Sequence, residues 1–367
     1  MAKVRLGDVA REYKATIKNS AGLPVVGLEH LTPGEITLEH WDVDTENTFT
    51  KGFKKGHMLF GRRRAYLKKA ALAPFDGICS GDITVIEAIP GKINPELLPF
   101  IIQNDLLFDY AVGNSAGSLS PRVKWDSLKD YQFELPELDK QDDLVELLKA
   151  AHRTKAAYRQ QIIATDELVK SQFIEMFGRL GCDEKGWGLT TLGRCCELNP
   201  KRPKGIADDT EVSFVPMPAV SEEGHMDCST IKPYSEVKKG FTYFAEDDVL
   251  FAKITPCMEN GKGAVAKGLS NGIGAGSTEF HVLRPITGKS NPYWIYTITM
   301  FDEFRTGARK VMTGTGGQLR VPINYLSDYP ITLPPIKLQD QFEAIVRQSD
   351  KSKLFGVKHR FKYFTGG

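Results

Sequence analysis

The sequence predicts an α+β protein: two tandem α/β domains, each a curved, mainly antiparallel sheet with helices, separated by long helices forming an antiparallel coiled coil. Three observations carry this reading. Short motifs recur in the same order along the chain, at an offset that grows from 186 to 198 residues. A run without Gly or Pro lies between the two copies. A second amphipathic stretch occupies the same place after the second copy.

The first copy, residues 1–139, opens with Leu6-Gly7, echoed by Leu192-Gly193. The segment 53–60 (FKKGHMLF) matches 244–251 (FAEDDVLF), and 79–82 (CSGD) before a strand-like ITVI matches 276–279 (GSTE) before FHVL. Asn94-Pro95 and Asn291-Pro292 each start a helix, because Asn caps and Pro is preorganised for the first turn. A Gly/Ser/Thr-rich loop follows in each copy (113–121 and 314–319), then Arg122-Val123 and Arg320-Val321, then exits marked by Pro136 and Pro334-Pro335. Gln141-Asp142 and Gln339-Asp340 keep the offset of 198. Insertions in the loops of the second copy, residues 179–335, account for an offset that only grows. Short strands broken by Gly and Lys/Arg loops read as antiparallel.

Between the copies, residues 140–178 read as one long helix that Asp139 can cap and Gly178 stops. Leu144, Leu148, Ala151, Lys155, Tyr158, Ile162, Thr165, Val169, Gln172 and Met176 alternate steps of four and three, a heptad seam with polar interruptions. Such a helix reaches roughly 55 Å and needs a partner for its stripe. Residues 336–367 supply the candidate, starting at Leu338, Phe342, Ile345 and Val346. The seam is lost after Lys353, where glycines at 356, 366 and 367 and a basic-aromatic tail (Lys358, Arg360, Lys362 among Phe355, Phe361, Tyr363 and Phe364) predict a truncated helix.

The composition narrows the function classes. Hydrophobic residues make up 41% and charged residues 26% of 367, enough for two cores and too apolar for a disordered chain. A net charge of +2 leaves room only for a local nucleic-acid surface. No apolar run approaches a membrane span, the N-terminus lacks a signal-peptide core, and six cysteines make no disulfide framework, so the expected location is cytoplasmic. No Gly-rich Lys-Ser/Thr phosphate loop, dinucleotide loop, Asn-Pro-Pro-Tyr methyltransferase motif or Pro-Asp nuclease signature is present. His225, Cys228, Cys195, Cys196 and Cys257 lack the paired knuckles of a zinc site, so no metal is expected.

The positive signal is electrostatic. Residues 51–75 hold Lys51, Lys54, Lys55, Arg62, Arg63, Arg64, Lys68 and Lys69 and no carboxylate until Asp76, with Phe53, Phe60, Tyr66 and Phe75 interleaved. Such a run is either a solvated face or a surface for phosphates and base edges, since Arg pairs with guanine through two bonds and Lys positions on phosphate. The DNA-binding candidates are Arg62, Arg63, Arg64, Tyr66, Lys68, Lys69, Ser118, Arg122 and Lys124 in the first copy. In the second they are Lys253, Lys262, Lys267, Gln318 and Arg320. No catalytic residue is assigned.

On the exits 135–141 (LPELDKQ) and 333–341 (LPPIKLQDQ), the helix end 171–178 (SQFIEMFG) and the Gly/Ser/Thr-rich segments before Arg122 and Arg320, residues 1–352 resemble the specificity subunit of type I restriction–modification systems. The resemblance implies two target recognition domains that each read half of a split double-stranded DNA sequence. It further implies helices that set their separation and dock modification (methyltransferase) subunits. Restriction subunits complete such a complex. S-adenosylmethionine, ATP and Mg are then expected on the partner subunits and none on this chain, which is not an enzyme itself. A nuclease or methyltransferase with degenerate motifs, and a coiled-coil adaptor with protein partners only, are the alternatives.

Overall fold

The computed structural model describes residues 2–17, 21–43, 45–315 and 317–362, the last twelve (351–362) by backbone alone. It divides into two compact units, Met1–Ala156 and Ala157–Gly367. No helix among the described residues is long and apolar enough to cross a membrane.

The repeat read in the sequence is a repeat of topology. The first unit holds a four-stranded sheet in the order Ala10–Glu12, Ile83–Ala88, Met58–Gly61, Ala70–Leu72. In the second, Cys196–Leu198, Phe280–Pro285, Val249–Ala252 and Gly263–Val265 stand in the same order. A second sheet runs Asp42–Val43, Pro24–Val26, Gly77–Cys79, Lys51–Phe53, and its counterpart runs Ile231–Pro233, Glu211–Val215, Ile273–Gly276, Thr242–Ala245. Pairing is antiparallel except for one parallel pair per unit, Pro24–Val26 with Gly77–Cys79 and Glu211–Val215 with Ile273–Gly276. A ribbon ties the ends of each unit together, Ala2–Arg5 on Gln132–Leu135 and Leu189–Thr191 on Pro330–Thr332.

The matched 53–60 and 244–251 segments now have a physical reason. Their central strands, Met58–Gly61 and Val249–Ala252, are buried along their whole length and therefore apolar without alternation. Phe60 stacks on Phe108 at 5.5 Å, and Phe251 meets Phe304 edge-on at 5.7 Å. Phe53 lies across Gly77 and Phe244 across Gly274, so close that a Cβ on either glycine would meet the ring within 3 Å. That cross-strand contact demands glycine.

The Asn-Pro and Gln-Asp motifs meet. The backbone N–H of Asn94 donates to Gln141 Oε1 at 2.7 Å and its side chain donates to Asp142 at 2.7 Å. Asn291 does the same with Gln339 at 2.9 Å and Asp340 at 3.0 Å. Gln141 and Gln339, 1% and 0% exposed, also donate to the carbonyls of Pro136 and Pro334. Each unit thus bolts its following helix to its own sheet-to-helix loop through a buried amide that both accepts and donates. Asn291 caps a helix at Pro292–Met300 as expected. Asn94 accepts from the Glu96 N–H instead, and the first helix starts only at Leu98.

The central helix spans Leu138–Phe177 and closes at Gly178, whose φ of +82° suits a glycine stop. It starts before Asp139, which sits in the first turn rather than at the cap. Its buried positions are Gln141 and Val145 at one end and Val169, Phe173 and Phe177 at the other, while the seam positions Ala151 and Tyr158 are exposed. In the second unit it is joined by the helix Ile336–Lys362. Phe342 packs on Phe173 and Phe177, and Val346 shares a core with Val169, so the two run antiparallel here. The distal helix continues through Gly356, further than the truncation at Lys353 that the lost seam predicts. The side chains of the basic-aromatic tail lie outside the described residues.

Candidate nucleic-acid interface

In each unit the turn before the long central strand presents a carboxylate. Ser80 Oγ accepts from the Asp82 N–H at 3.2 Å, and Ser277 Oγ accepts from the Glu279 N–H at 3.2 Å. These side-chain turns fix the acids at equivalent places. The backbone then weaves the basic segment and the Arg122 element around them. The N–H of Arg62 donates to Asp82 O at 3.0 Å and that of Val123 to Arg62 O at 3.0 Å. In the second unit Lys253 donates to Glu279 O at 2.9 Å and Val321 to Lys253 O at 2.9 Å. Lys253 therefore stands where Arg62 stands.

The side chains complete the match. Arg122 Nε donates to Asp82 Oδ1 at 2.7 Å and its Nη2 to Oδ2 at 3.3 Å. Arg320 grips Glu279 through Nε at 2.9 Å and Nη2 at 2.7 Å. The first unit adds Arg63, whose Nη1 reaches Asp82 at 3.4 Å and whose Nη2 donates to Ser120 Oγ at 3.2 Å. Ile254 fills the Arg63 position in the second unit and makes the corresponding bridge to Arg320. The guanidinium of Arg122, helped by Arg63, holds the Asp82 carboxyl below the usual range, and Arg320 does the same to Glu279. Both carboxylates are ionised near neutrality.

The structure thus brings Arg62, Arg63, Arg64 and Arg122 together, with Ser118 exposed on the adjoining loop. Arg64 donates its N–H to Pro121 O at 2.8 Å, and its exposed guanidinium makes no ion pair among the described residues. Arg64 (φ 53°) and Lys68 (φ 51°) take the left-handed conformation around a short helical turn whose tip shows Tyr66, 54% exposed. Non-glycine residues held this way mark a loop whose shape is imposed by its surroundings. Lys124 is exposed just before the short helix Trp125–Leu128.

The basic run is not free of counter-charge once folded. Lys51 lies 3.4 Å from Glu12, Arg63 shares Asp82, and Lys68 pairs with Asp105 at 2.6 Å. Lys69 donates to Leu28 O at 2.7 Å. In the second unit Gln318 and Arg320 form one edge of a hairpin with Thr313–Thr315, and Arg320 also donates to Gln318 O. Lys262 reaches Met217 O at 3.5 Å. Lys267 is turned elsewhere: it pairs with Asp247 and lines a cavity of about 460 Å³ with Tyr293, Tyr296 and Arg347. Asp82, Glu279 and Ser120 escaped the sequence reading, although the aligned 79–82 and 276–279 segments already carried an acid at matching positions.

His281 anchors the second site from behind. Its Nε2 donates to Val321 O at 2.9 Å, which leaves Nδ1 to accept from Asn199 at 3.3 Å, so the ring is neutral. Burial lowers its pKa from the ordinary 6.5; Lys253 adds to this, while the Val321 bond and Glu279 oppose it. A folded-state value below the unfolded one gives stability that is complete above the unfolded pKa and is lost as pH falls. Thermal unfolding followed from pH about 7 to about 5 should show the melting temperature of the second unit dropping, and dropping less in His281→Gln. His57, buried in the first unit and shifted the same way by burial, predicts a parallel loss there.

No family model matches the chain. Over 165 residues it is 42% identical to the specificity subunit of the type I restriction enzyme EcoEI and 44% identical to that of EcoAI, both from Escherichia coli. The matched stretch is 43% and 44% of this chain, and the chain spans about a quarter (27%) of the length of each of these relatives. Solved structures that align with 98% of the chain include the HsdS subunit from Thermoanaerobacter tengcongensis, with 91% of that chain covered, 22% identity and a TM-score of 0.39. Another is the type I restriction-modification S subunit from M. genitalium, with 91% covered, 12% identity and a TM-score of 0.48. The fold is a duplicated scaffold that carries one guanidinium–carboxylate brace in each copy. Over that 165-residue stretch the chain is similar to the specificity subunits of type I restriction enzymes.

Proposed function

We propose that the chain is a non-catalytic DNA sequence-specificity subunit of a type I restriction–modification complex, each unit reading one half of a bipartite target in double-stranded DNA. The observation that carries the reading is the guanidinium–carboxylate brace built twice on one topology, beside contact loops that differ (62–69 against 253–262). One scaffold with two unlike loops suits two unlike half-sites. The helices Leu138–Phe177 and Ile336–Lys362 are proposed to dock modification subunits, and S-adenosylmethionine, ATP and Mg to reside on the modification and restriction partners.

Mapping methylated adenines genome-wide, in cells carrying this chain and a modification subunit, tests the reading. One bipartite motif is expected, and exchange of residues 1–139 for another such domain should change one half of it. Concerted change of both halves, or turnover of DNA by the purified chain alone with Mg²⁺ and S-adenosylmethionine, would overturn it. Replacing Arg62, Arg63 and Arg64 with Gln should weaken duplex binding and flatten its salt dependence by up to about 0.9 per lost phosphate contact. Unchanged affinity in titrations at several salt concentrations would remove this loop from the interface.

A further inference from the structure

We infer that Asp82 and Glu279 are positioning residues that hold their units' arginines away from phosphate during sequence-independent contact, Asp82 withholding two guanidinium groups and Glu279 one. The inference rests on the DNA-reading function proposed above and adds a device that sets how selective that reading is.

The geometry is asymmetric in a telling way. In each brace the acid is the sheltered partner: Asp82 and Glu279 are 19% and 24% exposed, against 45% and 40% for Arg122 and Arg320. The acids are fixed from below by the Ser80 and Ser277 turns, so they stay while the arginines face solvent. A carboxylate takes the same two-pronged contact from a guanidinium that a phosphate would take. Each brace therefore satisfies, inside the protein, the fork that would otherwise grip any DNA backbone. Phosphate contact supplies most of sequence-independent affinity. A cation already neutralised on the protein contributes little to it.

The two braces differ in how many guanidinium groups they hold. Arg63 leans on Asp82 together with Arg122, whereas Ile254 occupies the corresponding place beside Glu279 and Arg320. Removing the acid's charge should release two guanidinium groups in the first unit and one in the second.

Binding of the full chain to a mixed-sequence duplex, measured between about 50 and 200 mM salt, reads this out. Each added phosphate contact steepens the log–log salt slope by about 0.9, a fall in relative affinity of about 3.5-fold over that range. Asp82→Asn should gain affinity at low salt and lose about 12-fold more than wild type across the range, and Glu279→Gln about 3.5-fold more. Asp82→Glu should keep the wild-type slope. Arg122→Gln alone should also keep it, because that guanidinium is already spent; this variant leaves the carboxylates in place and serves if the Asn or Gln variants fold poorly. A purely structural brace gives weaker binding with a flat or shallower slope in the acid variants, and that result, or a loss of slope in Arg122→Gln, would overturn the inference. If wild type shows no salt-dependent binding at all, the DNA-reading function itself fails. Selective wild-type binding with unaltered variants refutes only the withholding role.

Discussion

Replacing Phe342 with alanine should destabilise the second unit by about 3–5 kcal/mol, the usual loss for truncating a buried aromatic ring. Phe342 has no solvent exposure and sits 5.5 Å from the ring of Phe173 and 5.3 Å from that of Phe177. Phe173 in turn meets Phe301 at 5.1 Å, and Phe177 meets Trp187 at 6.2 Å. The five rings share the core with Val169, Trp294, Ile331 and Val346. Phe342 is the first deep anchor of the distal helix, so its loss opens a cavity where two helices and the domain core join. Denaturant titration should show a lower midpoint, whereas Leu147→Ala, at a position 66% exposed, should change stability by no more than about 0.5 kcal/mol. A Phe342→Ala loss under about 1 kcal/mol would mean the helix is not held by this cluster.

Replacing Asp248 with alanine should cost about 3 kcal/mol, the lower end expected for breaking a buried ion pair. Asp248 is 1% exposed, accepts from Arg284 at 2.8 and 2.7 Å, and accepts from the Ala245 N–H at 2.7 Å. Its removal strands both donors. Arg284 keeps 28% exposure and stands 5.6 Å over the ring of Tyr243, so water and the ring soften the loss. Adding Arg284→Met to Asp248→Ala should recover most of the stability, because an apolar replacement of the whole pair leaves no unpaired charge. Thermal melts of the single and double variants check this; equal losses in both would refute the ion-pair account.

The duplication was legible because a shared scaffold repeats residues that have no local reason to recur. Asn94, Gln141 and Asp142 are unremarkable alone, and their counterparts at 291, 339 and 340 mark them as scaffold residues, although their contact with one another is seen only in the fold. The long helix was legible from the absence of Gly and Pro. Its seam was only half informative, since Ala151 and Tyr158 continue the spacing but stay exposed. The counter-charges were not legible. The run 51–75 lacks a carboxylate in sequence, yet the fold brings Glu12, Asp82 and Asp105 to it, separated from their partners by 39, 19 and 37 positions. Lys267 shows the converse: it closes the second basic segment in sequence, and the strand Gly263–Val265 carries it away from Arg320 to Asp247. Charge patterning in a window describes composition, and ion pairing belongs to topology.

Where Asp248 and Arg284 stand in the second unit, the first places His57 and Glu87, with His57 Nε2 3.6 Å from Glu87 and Nδ1 accepting from the Lys54 N–H at 3.2 Å. The acidic member changes place between the copies: it is the later residue, Glu87, in the first unit and the earlier one, Asp248, in the second. A genetic crossover that joined the two halves anywhere between these paired positions would set aspartate against glutamate in one product and histidine against arginine in the other. Exchange of whole domains leaves each couple intact. Hybrids joined inside a domain between these positions are expected to be less stable than hybrids joined between the domains.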